Sequence, residues 1–135
     1  MPASALSFRI AVTLAMAGIL VGIAMAAMHD HAVMPAHAHL NLLGWVSLFL
    51  FGIYYRLNPA TDVSRAARLQ VIVWTTGTVI LALAVAAIHL GYTAAEPIAG
   101  MSSLVVLAGM GMFAFLVFKR SVSDRAVGAS LAPEE

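Results

Sequence analysis

Four long apolar segments, separated by short polar ones, make up most of this chain. A helix that crosses a bilayer needs roughly 20 mostly apolar residues, and residues 8–28, 36–55, 69–90 and 98–118 meet that length. Charged, proline or turn residues bound each segment, and the long alternation typical of membrane β-strands is missing from the sequence. The pattern predicts an all-α membrane protein, a four-transmembrane-helix up-and-down bundle that forms a single domain over 1–135.

The composition supports a membrane protein. Hydrophobic residues make up 62% of the chain and charged residues only 10%, whereas a soluble domain carries about 25% charged residues. So few charges cannot cover a water-exposed surface, so we expect the lipid bilayer to surround the chain. The net charge of +1 gives no electrostatic basis for binding nucleic acid. The absence of cysteine excludes disulfides, thiolate catalysis, iron–sulfur clusters and thioether-linked haem.

The basic residues predict the orientation. Loops 29–36 and 91–97 contain no lysine or arginine, and all seven basic residues lie at the opposite ends of the segments. The positive-inside rule then places both termini in the cytoplasm, in the inner membrane if the protein is bacterial, and leaves residues 119–135 as a loosely ordered cytoplasmic tail. The basic residues are Arg9, Arg56, Arg65, Arg68, Lys119, Arg120 and Arg125.

Two features of the first segment allow alternatives. Ala24-Met25-Ala26 is similar to a signal-peptidase site, but the apolar stretch is longer than the roughly 7–15 residues of a signal peptide, so we expect the segment to remain as a helix. Gly18, Gly22 and Ala26 form a stripe of small residues that permits close helix contact. The stripe suits either an oligomer seam or packing within one bundle.

Seven side chains that can bind metals fall at the predicted outer membrane face. Two histidines lie in the first outer loop, two begin the second segment and one ends the third. Ionisable groups at the edge of a membrane span are costly and are therefore candidates for function. The seven residues are His29, Asp30, His31, His37, His39, His89 and Glu96.

His37 and His39 point in different directions if the second segment is α-helical, because two residues are separated by about 200° around the axis. They cannot then bind one ion together. The face of His37 is small and polar and suits the bundle interior, whereas the face of His39 is apolar and suits a flat apolar cofactor, held within one chain or between two protomers. The first face carries Asn41, Gly44, Leu48 and Tyr55, and the second carries Leu42, Leu43, Val46 and Leu50.

His89 shares its helix face with Val85, Thr78 and the alanines Ala82 and Ala86. Such small side chains either leave room for a macrocycle or allow a tight helix crossing. A neutral imidazole from each of two helices, at one depth, is the arrangement that axial ligation of haem needs.

The histidine spacing resembles a known family. His29-Asp30, six further residues, His37-Ala38-His39 and then LNLLGWVSLFLFGIYY are similar to the tenth transmembrane helix of haem–copper oxidase subunit I, over about 20 of the 135 residues. The resemblance implies that His37 corresponds to the ligand of the high-spin haem and His39 to the ligand of the low-spin haem. It also implies that His29 and Asp30 lie near a hydrated metal ion outside the haem site.

The chain departs from that family in ways that affect the expected activity. It has far fewer spans, no further set of three histidines for a copper site, and no arginine in its outer loops to pair with haem propionates. We therefore expect that this chain alone does not carry out full oxygen reduction, and whether it is an enzyme stays open.

Three functions follow. The first is a b-type haem protein in electron transfer or in binding oxygen or nitric oxide, with His39 and His89 as axial ligands and with His37 and Asn41 as ligand or lining. Because four helices bury little area around a cofactor, a homo-oligomer would share it between protomers. The second is a bare copper or zinc site built from His29, Asp30, His31 and Glu96 together with His37. The third is a non-catalytic subunit that packs against a respiratory oxidase or reductase.

Overall fold

The computed structural model describes the backbone of residues 1–130 and the side chains of residues 1–119. Over that part of the chain the regular structure is helical, with no strand, and four helices are long and apolar enough to cross a membrane. This confirms the predicted all-α architecture with four candidate spans. The elements are α1 (Ala3–Met28), α2 (Met34–Arg56), the short α3 (Pro59–Asp62), α4 (Arg65–His89), a 3₁₀ turn (Thr93–Ala95) and α5 (Glu96–Ser130).

The helices extend beyond the apolar segments because their first turns are built from capping and polar residues. Pro35 occupies the first turn of α2, where its missing N–H costs nothing. The Ser64 hydroxyl accepts the Ala67 N–H and so caps α4. The last helix continues to Ser130, so the tail predicted from residue 119 begins as helix, since no proline interrupts it there. Residues 131–135 of that tail lie outside the described residues.

The helices approach each other closely at glycines. In the α1–α2 contact, a Cβ on Gly52 would lie 2.6 Å from the Phe8 ring and one on Gly18 would lie 2.5 Å from the Asn41 side chain. A Cβ on Gly22 would lie 3.0 Å from the His37 ring. Gly18 and Gly22 of the small-residue stripe therefore pack inside the bundle, which decides between the two alternatives that the sequence left open for them.

The densest packing lies at the end of the bundle opposite the histidines. There the Phe51 ring meets the Trp74 ring edge-on, with centroids 5.0 Å apart, and stacks obliquely on Phe113 at 4.3 Å. Such aromatic pairs add to the stability that burial alone gives. The buried cluster at this end consists of Ala3, Ala11, Leu48, Phe51, Tyr55, Ala67, Val71, Trp74 and Leu116.

Buried polar groups at the same end bond to one another. The Ser4 backbone N–H and hydroxyl donate to the two carboxylate oxygens of Asp62, at 2.6 and 2.7 Å. This carboxylate satisfies the amino end of α1 and lies where the helix dipole favours negative charge. The Tyr55 hydroxyl donates to the Gln70 amide oxygen at 2.8 Å, and the Gln70 amide donates to the Gly109 carbonyl at 3.2 Å. These bonds link α1 to the short α3, and α2 to α4 and α5.

The outer surface of the long helices is apolar. Large side chains such as Leu20, Leu83 and Leu107 are each about two-thirds exposed, at 65%, 67% and 67%. A soluble monomer rarely exposes apolar surface on this scale. Together with the length of the four helices, this surface fits contact with lipid acyl chains.

Replacing Gly109 by alanine should weaken the α4–α5 contact. Its Cβ would lie 3.2 Å from the Cα of Trp74, which is backbone and cannot turn aside. We expect the variant to lose about 1 to 3 kcal/mol of unfolding free energy, measured by thermal unfolding in detergent. Gly111→Ala is the matched control, because no atom lies within 4 Å of its Cβ. Equal stability of the two variants would contradict the close approach of these helices.

Candidate cofactor site at the histidine end

The helix ends bring all five histidines to one end of the bundle. His29 directly follows α1, and His31 lies in the loop between α1 and α2. His37 and His39 lie in the first turns of α2, and His89 is the last residue of α4. Because the connecting loops are short, both loop histidines and all three helical ones lie toward this end of the fold.

In His39 one ring nitrogen makes a hydrogen bond to the backbone and the other makes none within the described part of the chain. Its Nδ1 lies 2.7 Å from the carbonyl oxygen of Pro35, one helical turn earlier, and the side chain is partly buried. A carbonyl oxygen only accepts hydrogen bonds, so Nδ1 must carry the proton and donate it. The lone pair of a neutral His39 is therefore on Nε2, which makes no hydrogen bond within the described part of the chain.

His89 repeats this arrangement on α4. Its Nδ1 lies 2.9 Å from the carbonyl oxygen of Val85, again one turn earlier, and the side chain is exposed. Metal-binding histidines almost always donate their second ring N–H to a carbonyl or carboxylate, which fixes the tautomer and the ring orientation. In both His39 and His89 the bond from Nδ1 therefore leaves Nε2 as the ring nitrogen with a lone pair.

His37 is held differently, by its neighbour Asn41. The Asn41 side-chain Nδ2 donates to the His37 backbone carbonyl at 2.9 Å and lies 3.3 Å from each of the two ring nitrogens. One amide N–H of Asn41 is used on the carbonyl, so the other can satisfy at most one of the two ring nitrogens. Gly22 of α1 borders the Cε1 edge of the same ring.

His37 also lines a cavity between α1, α2 and α4. The cavity has a volume of about 380 Å³, and among the side chains that the structure describes His37 is its one polar lining residue. Ala82 and Ala86 form part of the α4 wall, so these small residues leave open space rather than a tight crossing. The full lining is Leu14, Ala17, Val21, Val33, Ala36, His37, Leu40, Val79, Ala82, Leu83 and Ala86.

The segment directly after His39 is a π-helix, Leu40–Ser47. Such segments are rare and are frequent at functional sites. Two side chains donate to its carbonyls: the Ser47 hydroxyl to Leu42 at 2.9 Å, and the Trp74 indole N–H of α4 to Leu43 at 2.9 Å. Sequence reasoning missed the contribution of Trp74, since nothing in the sequence links residues 31 positions apart.

The apolar face predicted below His39 is partly buried and partly exposed. α-Helical spacing places Leu42, Leu43, Val46 and Leu50 on that face. In the structure Leu43 packs against the buried cluster, whereas Leu42 and Leu50 are 61% and 57% exposed. The exposed part of the face is available for contact with lipid or with another protein.

The remaining candidate ligands stay at the surface. His29, Asp30, His31 and Glu96 are all exposed, and the Asp30 carboxylate accepts the N–H of Ala32 at 2.9 Å within its own loop. Among the side chains of residues 1–119, no group of three or more histidine, cysteine, aspartate or glutamate residues is close enough to hold one metal ion. The structure therefore does not bring the residues of the predicted copper or zinc site together.

Comparison with known proteins gives no match. No protein-family model, no curated protein and no solved structure matches this chain. The chemistry and geometry of the histidine end are therefore the basis for a functional proposal.

Replacing Trp74 by phenylalanine should loosen the π-helix. The variant loses the indole N–H that donates to Leu43, and we expect it to lose about 1 kcal/mol of unfolding free energy from that bond. Amide hydrogen exchange in Leu40–Ser47 should become faster. Trp45→Phe is the control, because Trp45 is 44% exposed and should leave exchange in this segment unchanged. Equal exchange in both variants would show that the Trp74 bond does not hold the segment.

Proposed function

We propose that this protein is a membrane-integral b-type haem-binding protein that acts in electron transfer or in binding a gas such as oxygen or nitric oxide. One observation carries the proposal. Two imidazoles on separate helices, His39 and His89, lie at the same end of the bundle, and each donates Nδ1–H to its own helix so that Nε2 is free. The spacing of His37 and His39, which resembles haem–copper oxidase subunit I, supports the same chemistry.

The donor set fits a haem iron better than a bare metal ion. Haem needs only one or two axial imidazoles from the protein, because the macrocycle supplies the other ligands. A bare copper or zinc ion needs three or four protein ligands, and such a group is not assembled within the described part of the chain. When bound, haem would supply one-electron chemistry and a site for a diatomic gas.

In this proposal, His39 and His89 hold the cofactor and fix its orientation through their bonds to Pro35 and Val85. The outer loops lack lysine and arginine, so the propionates would face water, backbone amides or the exposed imidazoles of His29 and His31.

The exposure of His89 favours a site completed by a second protomer. A ligand at the surface of one bundle can be covered when two bundles meet, and the exposed Leu42 and Leu50 on α2 offer apolar area for such contact. We therefore propose a homo-oligomer in the bilayer, with an electron-transfer partner or a respiratory oxidase or reductase as the associated protein.

Haem content tests the proposal directly. Purified protein should show a Soret band that shifts on reduction with dithionite. His39→Ala and His89→Ala should each weaken haem binding by at least about tenfold, because changes even in groups supporting a metal ligand cost that much. His31→Ala, at an exposed loop histidine that is not an axial ligand in this proposal, is the matched control and should lose much less haem than either of them.

Other outcomes would reject the haem proposal. A colourless protein that holds copper or zinc supports the bare metal site. A colourless, metal-free protein that co-purifies with an oxidase supports the accessory subunit. If the three alanine variants lose haem equally, the assignment of His39 and His89 is wrong.

We also propose that the histidine end faces away from the cytoplasm, on the periplasmic side in a bacterium, because no lysine or arginine lies in loops 29–36 and 91–97. The chain has no cysteine, so a single introduced thiol reports its own side. In intact cells a membrane-impermeant maleimide should label His31→Cys and spare Val63→Cys, although Val63 is 67% exposed. The reverse labelling would invert the orientation.

A further inference from the structure

The cavity beside His37 is separate from the nitrogen atoms that the haem proposal uses. It lies between α1, α2 and α4, and its walls are aliphatic apart from the His37 ring. Leu83, which lines the cavity, is also 67% exposed on the outer surface of α4. The cavity therefore opens sideways, toward the lipid that surrounds the bundle.

The His37 ring needs a polar partner in this cavity. The Asn41 amide, which also donates to the His37 carbonyl, can satisfy at most one of the two ring nitrogens, and an unpaired polar group in apolar surroundings costs roughly 1 to 3 kcal/mol. Water is a poor occupant, because a buried water needs two to four polar partners and the described lining offers the imidazole alone. A lipid acyl chain has no atom that can bond to the ring.

The shape of the walls narrows the choice of ligand further. Each of the three helices contributes alanine, with Ala17 on α1, Ala36 on α2, and Ala82 and Ala86 one turn apart on α4. Alanine side chains leave a shallow surface against which a flat ring can lie. The volume of about 380 Å³ falls within the roughly 300–1,000 Å³ of small-molecule sites.

We propose that this cavity binds the ring of a membrane quinone, with the His37 imidazole donating a hydrogen bond to one quinone carbonyl oxygen. The ring packs against the alanines, and the apolar tail leaves past Leu83 into the bilayer. A quinone combines the three properties that the cavity requires: a flat apolar body, a hydrogen-bond acceptor and solubility in the membrane. The site stands on His37 and the alanines, so it does not depend on haem at His39 and His89.

Equilibrium binding of decylubiquinone to the full chain in lipid nanodiscs tests this site. The wild-type protein should bind it saturably, with one molecule per cavity. Ala82→Leu and Ala86→Leu fill the cavity and should each abolish saturable binding. His37→Leu removes the donor and should weaken binding about fivefold, the value of one hydrogen bond. His31→Leu is the matched control for the histidine change, and Ala94→Leu, at an exposed position, is the control for the alanine changes.

A photoreactive azidoquinone gives a second readout that does not depend on any variant. Its cross-links should map to the cavity walls on α1, α2 and α4. Cross-links spread over exposed apolar residues such as Leu20 and Leu107 would overturn the proposal, as would non-saturable binding or binding unchanged in both alanine variants. Binding that persists in His39→Ala and His89→Ala separates this site from the haem proposal, so that either proposal can fail alone.

Discussion

The second helix is held from both sides by side chains that donate hydrogen bonds to its backbone carbonyls. Ser7 of α1 bonds to the Leu48 carbonyl at 2.7 Å, and Trp74 of α4 bonds to the Leu43 carbonyl at 2.9 Å. In an apolar medium no water is present to donate a hydrogen bond to a backbone carbonyl, so breaking such a bond costs free energy. They fix the position of α2 between its neighbours. The positions of His37 and His39 depend on the position of α2.

Packing differs between the two ends of the bundle. One end contains the buried aromatic and polar contacts that stabilise the fold, and the other contains the histidines. The aromatic cluster around Phe51 and Trp74 and the buried polar bonds lie at one end. The opposite end has a cavity, exposed loops and partly buried imidazoles. The stability that the well-packed end contributes can offset the lower stability of the histidine end. The histidine end can therefore contain ring nitrogens that have no protein partner. That freedom is what a site for a cofactor or a small apolar ligand requires.

Several features of this arrangement were accessible from the sequence. The four apolar segments indicated four helices, and the 3.6-residue period placed His37 with Asn41 and Gly44 on the inner face, where Gly44 is buried and packs against Leu14. The sequence left open whether the small residues Ala82 and Ala86 border open space or a tight crossing, and the structure places both beside the cavity. The π-helix was not accessible, and nothing in the sequence links its Leu43 carbonyl to the Trp74 donor on a distant helix. The role of Gly18 and Gly22 was also undecided, since small residues serve contacts within a chain and between chains equally well.

The position of Asp62 in the sequence determines when the amino end of α1 can be capped during synthesis. The amino end of α1 finds its acceptor only in the connection between α2 and α4. Asp62 follows Ser4 by 58 residues. The bonds at the amino end of the first helix can therefore form only after nearly half of the chain has been translated.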